Sequence, residues 1–319
     1  MESVVVAFSA GVDSTFLARA AREALGDRAL LVTADSETYP ARELDEARRL
    51  AAELGMRHVV VETRELDNPE YARNPVNRCF FCKDELFMKL APVATREGIA
   101  TLVYGANMDD LGDHRPGMRA ATEHGVRAPL IEAELTKAEI RELSRRLGLP
   151  TWDKASFACL SSRFQYGDRV TPEKLRQVDA AESFVRSLGF RECRVRHHDR
   201  LARLEIAAAE LPRLFEDGRQ TAIVARLREL GYVYVTVDLA GFQSGSANLV
   251  LTMKGRALAA RPGAASSGPA STDIMGGPDM APQTPPRSAP SRETRDGPRR
   301  PVPFTGSEER RATPEDGPR

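Results

Sequence analysis

Residues 9–14 form a cluster of small and polar side chains at the point where an apolar run gives way to a helical pattern. They read Ser-Ala-Gly-Val-Asp-Ser within VVVAFSAGVDSTFLARAA. Small residues let the backbone approach a ligand closely, and a helix N-terminus supplies free N–H groups and a positive dipole end for a phosphate. Ser9 and Ser14 would add hydroxyl donors, and Asp13 could orient the loop or hold a cation. The stretch therefore predicts a phosphate-binding loop, with an ordinary strand-to-helix turn as the alternative.

Three cysteines form a second candidate site. Cys79 and Cys82 lie in NPVNRCFFCKDELF, and Cys159 lies in WDKASFACLSSRFQYG. A C-x-x-C pair with a distant third cysteine suits a soft metal or an iron–sulfur cluster, whereas zinc usually needs a fourth protein ligand. A redox dithiol and reduced cysteines packed as small hydrophobic residues are the alternatives. The flanking Arg78 and Lys83 are expected to favour thiolate at the pair.

A pair of arginines suggests an anion site in the second half of the chain. Arg194 and Arg196 lie two apart in a strand-like stretch, so both project from the same face. Glu205 lies in the neighbouring strand-like stretch. Two guanidinium groups side by side suit a nucleotide phosphate, whereas an exposed sheet face with cross-strand salt bridges is the alternative. Arg163, shortly after Cys159, is a weaker candidate of the same kind.

The elements that must position these residues alternate between strands and helices over residues 2–150. Helical patterns, such as residues 41–54, separate apolar runs at residues 3–8, 29–34, 58–62 and 101–106. Near-continuous apolar strands joined by helical crossovers predict an α/β fold with a doubly wound parallel sheet. A capping box, Thr136-Lys137-Ala138-Glu139, predicts a further helix that ends near Gly148.

Two other strand ends fit the same ligand crevice as residues 9–14. Thr33, Ala34 and Ser36 end the second apolar run, where an adenine or ribose could meet backbone groups, and Gly105 ends the fourth. Because the crevice of a parallel sheet lies at the carboxyl ends of its strands, we expect all of them at one edge. Polar loop residues that simply cap strands are the alternative at each position.

The pattern changes after a linker at residues 151–170, which carries Cys159. The residues beyond it predict a smaller α+β domain, with a helix at 172–188, strands at 191–198 and 201–207, a helix near 210–230 and a strand at 232–239. Cys193 falls in the first of these strands and is expected to be a core residue. Residues 257–319 are rich in proline, arginine and glycine and lack aliphatic periodicity, so they predict a disordered tail. The predicted domains are therefore 1–150 and 171–256.

The composition excludes several classes of protein. The formal net charge is zero and the pI is about 7.0 over 319 residues, which argues against a nucleic-acid partner. No stretch approaches the roughly 18 consecutive apolar residues of a membrane span. The sequence begins almost directly with a strand, which leaves no room for a signal peptide. We therefore expect a cytoplasmic protein with reduced thiols and no nucleic-acid or membrane partner.

Residues 9–14 resemble the SGGxDS pyrophosphatase loop (the PP-loop) of the N-type ATP pyrophosphatases, and they differ from a Walker A loop. That family has the adenine nucleotide alpha hydrolase-like fold, splits ATP between the α- and β-phosphates and forms adenylated intermediates. The resemblance implies ATP and Mg²⁺ as cofactors and Asp13 as a catalytic residue. Ala10 replaces the commoner glycine, and its methyl group fits best if φ is negative. The expected ATP-binding residues are Ala7, Phe8, Ser9, Gly11, Asp13, Ser14, Thr33, Ala34, Ser36 and Gly105.

Several separated stretches in the same order, over about residues 2–250, resemble the LarE family. They are RCFFCKDELF, YGANMDDLGDHRPG, ACLSSRFQYG, RVRHHD and FQSGSAN. The resemblance implies an ATP-dependent sulfur transferase of nickel-pincer cofactor biosynthesis, which serves lactate racemase and related enzymes. The substrate would be pyridinium-3,5-biscarboxylic acid mononucleotide, whose carboxylates are adenylated and then converted to thiocarboxylates. The resemblance also implies a homo-oligomer, a hexamer, and substrate binding by the arginines and by Glu205.

Members of the LarE family differ in their sulfur source. In one kind, a cysteine at the position of Cys159 gives up its own sulfur and becomes dehydroalanine. In another, three cysteines hold a [4Fe–4S] cluster that carries an extra sulfide. Because this chain has Cys79, Cys82 and Cys159, we favour the cluster kind, with Cys159 catalytic in either case. The alternatives are a thiolase of tRNA or of another small molecule, an ammonia-dependent amide synthetase and a non-catalytic nucleotide-binding module.

Overall fold

The computed structural model describes residues 1–112, 116–155, 158–243 and 245–251. All of them belong to one compact unit, Met1–Pro262. The predicted tail, residues 257–319, lies outside the described residues. Within the described residues, no helix combines the length and the apolar character needed to cross a bilayer.

A four-stranded parallel sheet organises the first half of the chain, with strand order β3-β2-β1-β4. Its elements are β1 (Val4–Ala7), α1 (Val12–Leu25), β2 (Ala29–Asp35), α2 (Ala41–Glu53), β3 (Arg57–Glu62), α3 (Pro69–Ala72), α4 (Arg78–Arg96), β4 (Leu102–Tyr104), α5 (Pro116–Glu123), α6 (Pro129–Glu132) and α7 (Lys137–Arg146). Arg127 extends the sheet beyond β4 through one parallel bridge to Val103. The predicted α/β fold with a parallel sheet is confirmed, and each predicted apolar run contains most or all of one strand.

Alternate side chains of β1 pack on opposite faces of this sheet. Val4 and Val6 lie in one buried cluster with Phe16 of α1, whereas Val5 lies in another with Phe87 of α4. Helices therefore cover both faces, which is the arrangement that near-continuous apolar strands predict. Because the strands are parallel, the segments that follow their carboxyl ends share one edge of the sheet.

A three-stranded sheet organises the later described residues, with strand order β5-β6-β7. Its elements are α8 (Pro172–Ser187), β5 (Cys193–His198), β6 (Leu201–Ile206), α9 (Arg219–Glu229) and β7 (Tyr234–Val237). β5 and β6 are antiparallel, whereas β6 and β7 are parallel. Cys193 is buried in the core of this sheet, as predicted. The division into two domains at about residue 150 stays a prediction.

The helix predicted near residues 210–230 is wrong in its first half. Ala208–Phe215 form a 3₁₀ helix that contains Pro212, and α9 begins only at Arg219. Proline cannot donate the backbone hydrogen bond of an α-helix. Gly218, the N-cap of α9, has a left-handed backbone with φ of 72°, which separates the two segments.

Candidate active site

The loop between β1 and α1 is closed by the side chain of Ser14. Gly11 is the N-cap of α1 and has an extended backbone, with φ of −82° and ψ of 171°. Ser14 Oγ accepts hydrogen bonds from the backbone N–H of Gly11 (3.1 Å) and of Ser9 (3.3 Å), and it lies 3.1 Å from Ser9 Oγ. The PP-loop therefore curls around the amino end of α1, where free N–H groups and the helix dipole favour a phosphate.

Ala10 adopts a backbone conformation that alanine seldom takes. Its φ is +53°, in the left-handed region, and its side chain is fully buried. This conformation costs an L-residue roughly 1–2 kcal/mol relative to glycine. The buried methyl group offsets part of this cost, by about 0.8 kcal/mol. Ala10 therefore has the positive φ that the sequence analysis identified as the unfavourable case for an alanine in this loop.

Asp13 is held by two residues that follow β4 and begin α7. Its Oδ1 accepts a hydrogen bond from Asn107 Nδ2 (3.1 Å), and its Oδ2 forms an ion pair with Lys137 Nζ. Lys137 is the first residue of α7, and its backbone N–H donates to Asp109 Oδ2 (2.5 Å). Neither Asn107 nor Lys137 was among the site residues predicted from the sequence. The capping box that begins at Thr136 could have indicated Lys137, because it places that residue at the start of α7. Lys137 brings a cation to the first turn of α1.

Most of the remaining predicted ATP-binding residues lie at or just after the carboxyl ends of β1 and β2, at the same edge of the sheet. The backbone N–H of Phe8 donates to the Val32 carbonyl oxygen (2.8 Å), and Thr33 Oγ1 donates to the Phe8 carbonyl oxygen (2.7 Å). Ser36 Oγ donates to Glu65 Oε1 (2.9 Å). The structure thus brings the ends of β1 and β2 together beside the PP-loop. Contact of these residues with ATP stays a prediction.

Gly105 allows β4 to end directly against the first turn of α1. A Cβ atom at this position would lie 2.9 Å from the Ser14 backbone nitrogen and 3.1 Å from the Asp13 carbonyl carbon. Both atoms belong to backbone, so neither can move aside as a flexible side chain would. A glycine is therefore required by close packing at this position.

We expect Gly105→Ala to displace the first turn of α1. Overpacking of this kind typically costs about 1–3 kcal/mol, which thermal unfolding should detect, and pyrophosphate release should fall because Asp13 moves with the turn. Gly112→Ala is the matched control, because a Cβ atom there has nothing within 4 Å among the described residues. Equal stability of the two variants would contradict the packing argument.

Lys154 connects the predicted linker to the back of the PP-loop. Its Nζ donates to the Ala10 carbonyl oxygen (3.1 Å) and to the carboxylates of Glu43 (2.9 Å) and Glu46 (2.8 Å) on α2. Because the lysine is largely buried, these contacts fasten the left-handed Ala10 peptide from outside the loop. No local sequence pattern marks this residue, and the sequence analysis missed it.

The three candidate cysteines lie on two separate elements. Cys79 and Cys82 lie in the first two turns of α4, and Cys159 precedes a short 3₁₀ helix, Leu160–Arg163. Cys79 is exposed, and the other two are partly buried. Burial raises the pKa of Cys82 well above its ordinary value, and the charges of Glu65, Cys159 and Cys79 raise it further. Both other thiols therefore lie near enough to Cys82 to influence its pKa.

The predicted influence of a neighbouring cation on Cys82 is present, but other effects outweigh it. Lys83 lowers the pKa of Cys82, but burial and the Glu65 carboxylate raise it by more. Glu65 is buried and accepts a hydrogen bond from Thr38 Oγ1 (2.5 Å). In the part of the chain that the structure describes, no three His, Cys, Asp or Glu side chains are arranged to hold a metal ion.

The backbone around Cys159 is held from two sides. The backbone N–H of Leu160 donates to the Thr38 carbonyl oxygen (2.9 Å), which ties the segment to the edge of the parallel sheet. From the other side, Arg163 Nη1 donates to the carbonyl oxygens of Cys159 (3.1 Å) and Ala158 (2.6 Å). The cysteine is therefore fixed through its main chain, and its side chain takes no part in these contacts.

Arg163, a predicted substrate-binding residue, is paired within the protein. Its Nε and Nη2 donate to the two carboxylate oxygens of Glu182 on α8, at 2.7 and 2.9 Å, and both side chains are buried. The backbone N–H of Val195 also donates to Glu182 (3.0 Å). The guanidinium thus joins the second sheet to the Cys159 segment, and a contact of Arg163 with substrate stays a prediction.

Arg194 and Arg196 differ in their partners although they share a strand. Arg196 forms a buried ion pair with Glu205 of β6 (2.7 Å). Arg194 is the register partner of Glu205, yet its guanidinium lies 4.6 Å from the Phe242 ring centre and pairs with no carboxylate of the described residues. Burial and the positive charges of Arg163 and Arg196 lower the pKa of Arg194 to about 10. A bound anion would relieve this repulsion.

Arg194 lines a pocket of about 470 Å³, a size typical of small-molecule sites. Ala158, next to Cys159, lies in the same wall. The cations of the wall are Arg42, Lys154, Arg163, Arg186, Arg191 and Arg194, and its carboxylates are Glu43, Asp153, Glu192 and Glu210. Lys154 lines this cation-rich pocket and also contacts the Ala10 carbonyl oxygen, so one side chain joins the pocket wall to the back of the PP-loop.

The amino-terminal part of the chain matches a known ATP-using family. Residues 1–74 match the family of NAD synthases. The chain is also similar to a glutamine-hydrolysing GMP synthase of Aeropyrum pernix, at 30% identity over 206 residues, which is 57% of this chain and 39% of that protein. These similarities cover only part of each protein.

Two further similarities extend over most of the chain. It is 44% identical over 252 residues to an uncharacterised protein of Synechocystis sp., covering 79% of this chain and 94% of that protein. It is 37% identical over 255 residues to pyridinium-3,5-bisthiocarboxylic acid mononucleotide synthase of Lactiplantibacillus plantarum, covering 79% of this chain and 91% of that protein. With a PP-loop at the edge of its parallel sheet, the chain belongs to the LarE family, of which that synthase is a member.

Proposed function

We propose that this protein is an ATP-dependent sulfur transferase that converts the carboxylates of pyridinium-3,5-biscarboxylic acid mononucleotide into thiocarboxylates for a nickel-pincer cofactor. The observation that carries the proposal is a cation-rich pocket whose wall contains a neighbour of Cys159 and a lysine that contacts the PP-loop. Lys154 contacts the loop and lines the pocket, and Ala158 lines it beside Cys159. The similarity to a bisthiocarboxylic acid mononucleotide synthase supports this choice of substrate.

The reaction divides one difficult substitution into two easier ones. A carboxylate oxygen attacks the α-phosphorus of ATP, and the bond to pyrophosphate breaks. The product is an acyl adenylate, whose carbonyl carbon now carries a good leaving group. A sulfur nucleophile attacks that carbon, the bond to AMP breaks, and a thiocarboxylate remains. Each carboxylate would consume one ATP.

At the ATP end, the PP-loop and the first turn of α1 would donate N–H groups to the phosphates. Asp13 would hold Mg²⁺, which prefers carboxylate and phosphate oxygens and would offset charge on the departing pyrophosphate. Lys137, the present ion-pair partner of Asp13, would contact the same phosphates. The arrangement keeps the Asp13 carboxylate between a neutral amide, Asn107, and a cation.

At the substrate end, we expect Arg194→Ala and Arg196→Ala to behave differently. Losing the Arg194 guanidinium should weaken mononucleotide binding about ten- to hundredfold, since a charge-assisted hydrogen bond is worth about 1.5–3 kcal/mol. Stability should change little, because no carboxylate of the described residues loses a partner. Arg196→Ala should lower stability by about 1.5–3 kcal/mol, because it removes a buried charge-assisted hydrogen bond to Glu205, which keeps Arg203 as a second partner.

Titration calorimetry with the mononucleotide and with ATP, together with thermal unfolding, checks both expectations. ATP affinity should be the same in Arg194→Ala and in the unaltered protein. An equal loss of affinity for both ligands would argue against a separate substrate site at Arg194.

For the sulfur source, we propose that Cys79, Cys82 and Cys159 hold a [4Fe–4S] cluster, which would supply a sulfide. The support for this set is the sequence, a C-x-x-C pair with a third cysteine, because the described side chains are not arranged to hold a metal ion. Sacrifice of the Cys159 sulfur is the alternative. We also propose a homo-oligomer, a hexamer by resemblance, which light scattering would test. The colour and visible spectrum of anaerobically purified protein would test for the cluster.

The function itself is tested by incubating the anaerobic protein with the mononucleotide, ATP, Mg²⁺ and sulfide. We expect pyrophosphate and AMP to form only when the mononucleotide is present, and mass spectrometry to find oxygen replaced by sulfur in the product. A parallel reaction contains ammonia in place of sulfide, and an amide product there would instead favour a synthetase like the NAD and GMP synthases. Consumption of ATP with no change in the mononucleotide would contradict the proposed substrate.

A further inference from the structure

Arg78 is a buried arginine at the start of α4, directly before Cys79. Its side chain is oriented by two neutral groups: Nη1 donates to Asn74 Oδ1 (2.8 Å), and the guanidinium lies 5.0 Å from the centre of the Tyr166 ring. Its Nε has no hydrogen-bond partner among the described residues. The residue is only 5% exposed, so water does not take that place readily.

No carboxylate of the described chain forms an ion pair with Arg78. By contrast, the buried guanidiniums of Arg163 and Arg196 each have a buried carboxylate within 2.7 Å. A buried cation without a paired carboxylate is costly, typically by several kcal/mol. Asn74 and the Tyr166 ring orient the guanidinium but bring no full negative charge. A fold that keeps such a cation buried provides a place for an anion from outside the described chain.

Arg78 lies beside cysteines at the amino end of a helix, a place that suits a sulfur anion. The amino end of α4, which spans nineteen residues, carries a partial positive charge and bears Cys79 and Cys82 in its first two turns. Arg78 is the first residue of the same helix and directly precedes Cys79, so its buried guanidinium belongs to the turn that carries the first of these thiols.

We propose that Arg78 and the first turn of α4 bind a small sulfur anion, either free hydrosulfide or a sulfide carried by a cluster. The inference rests on the proposed sulfur transfer, and it adds the residue that binds the sulfur anion before transfer. The unpaired Nε donates to the anion, and the guanidinium offsets its charge.

Retention of radiolabelled hydrosulfide tests the inference without ATP or mononucleotide, so its outcome is independent of the transfer reaction. The full-length protein is dialysed anaerobically against labelled sodium hydrosulfide, once free of metal and once after loading with iron and sulfide. Arg78→Gln is compared with Arg73→Gln. Arg73 is the matched control because its side chain is 71% exposed and paired with Glu70.

We expect the unaltered protein and Arg73→Gln to retain label and Arg78→Gln to bind it at least about tenfold more weakly. Retention by metal-free protein supports free hydrosulfide as the ligand, and retention only after loading supports a cluster-borne sulfide. Equal retention by Arg78→Gln, or none by the unaltered protein, would overturn the inference.

Bromide, an anion of similar size, gives a second measurement that depends on no variant. Crystals of the unaltered protein soaked in bromide should show anomalous signal within hydrogen-bonding distance of Arg78 Nε. Signal at surface arginines but none at Arg78 would overturn the inference even if Arg78→Gln fails to fold.

Discussion

Cys159→Ala should abolish thiocarboxylate formation while pyrophosphate release continues. The cysteine is anchored through its carbonyl oxygen and through the neighbouring Leu160 N–H, so removal of the thiol leaves the segment in place. Adenylation depends on the PP-loop, which lies on another element. The variant should therefore accumulate the adenylate or its hydrolysis products. Pyrophosphate and product mass, measured in the same reaction, separate the two steps.

Cys193→Ala is the control for Cys159→Ala, because it removes a thiol that lies buried in the core of the second sheet. This variant should still release pyrophosphate and form the thiocarboxylate, with only a modest loss of stability. Thiocarboxylate formation by Cys159→Ala at the unaltered rate would remove Cys159 from the mechanism.

Intact-protein mass after turnover separates the two sulfur sources. A sacrificed Cys159 leaves the chain lighter by one H₂S and limits each chain to a single transfer. A cluster-borne sulfide leaves the mass unchanged and allows repeated turnover when sulfide is supplied. A double variant, Cys79→Ala with Cys82→Ala, that keeps full multiple turnover would reject the cluster.

Asp13→Asn should lower the rate of pyrophosphate release by at least about 100-fold without unfolding the protein. Asparagine keeps an oxygen for Asn107 Nδ2, but it removes the charge that pairs with Lys137 and that would hold Mg²⁺. Pyrophosphate release with saturating ATP and mononucleotide measures the effect. Circular dichroism and thermal unfolding verify the fold.

Asp109→Asn is the isosteric control for Asp13→Asn. Asp109 accepts the backbone N–H of Lys137, and asparagine can accept the same hydrogen bond. This variant should therefore keep most of the activity. An unaltered rate of pyrophosphate release in Asp13→Asn would contradict the nucleotide assignment at the PP-loop.

The parallel sheet and its functional edge could be predicted from sequence because apolar strands carry their own pattern. Runs such as Val4–Ala7 are buried on both faces, so they are apolar without alternation. Parallel strands then require their carboxyl ends to share an edge, which places Ser36 and Gly105 with the PP-loop whatever their separation in sequence. The interruption between the 3₁₀ helix and α9 could also have been predicted from the sequence, because Pro212 and Gly218 disfavour a continuous α-helix there.

Pairing between distant residues could not be predicted in the same way. Strand periodicity places Arg194 and Arg196 on one face, but it does not specify that Glu205 forms its ion pair with the second. Likewise, Lys154 reaches the Ala10 carbonyl oxygen across the linker. Such contacts depend on how separate elements pack in three dimensions, and no local period encodes them.

The independent anchoring of the cysteines has an evolutionary consequence. The Cys159 segment is tied to Thr38 and to the buried Arg163–Glu182 pair, whereas Cys79 and Cys82 belong to a helix with its own packing. Point substitutions in α4 can therefore remove or restore the C-x-x-C pair without loosening Cys159. A few substitutions in one helix would then exchange a reusable sulfur supply for a single-use one within the same scaffold.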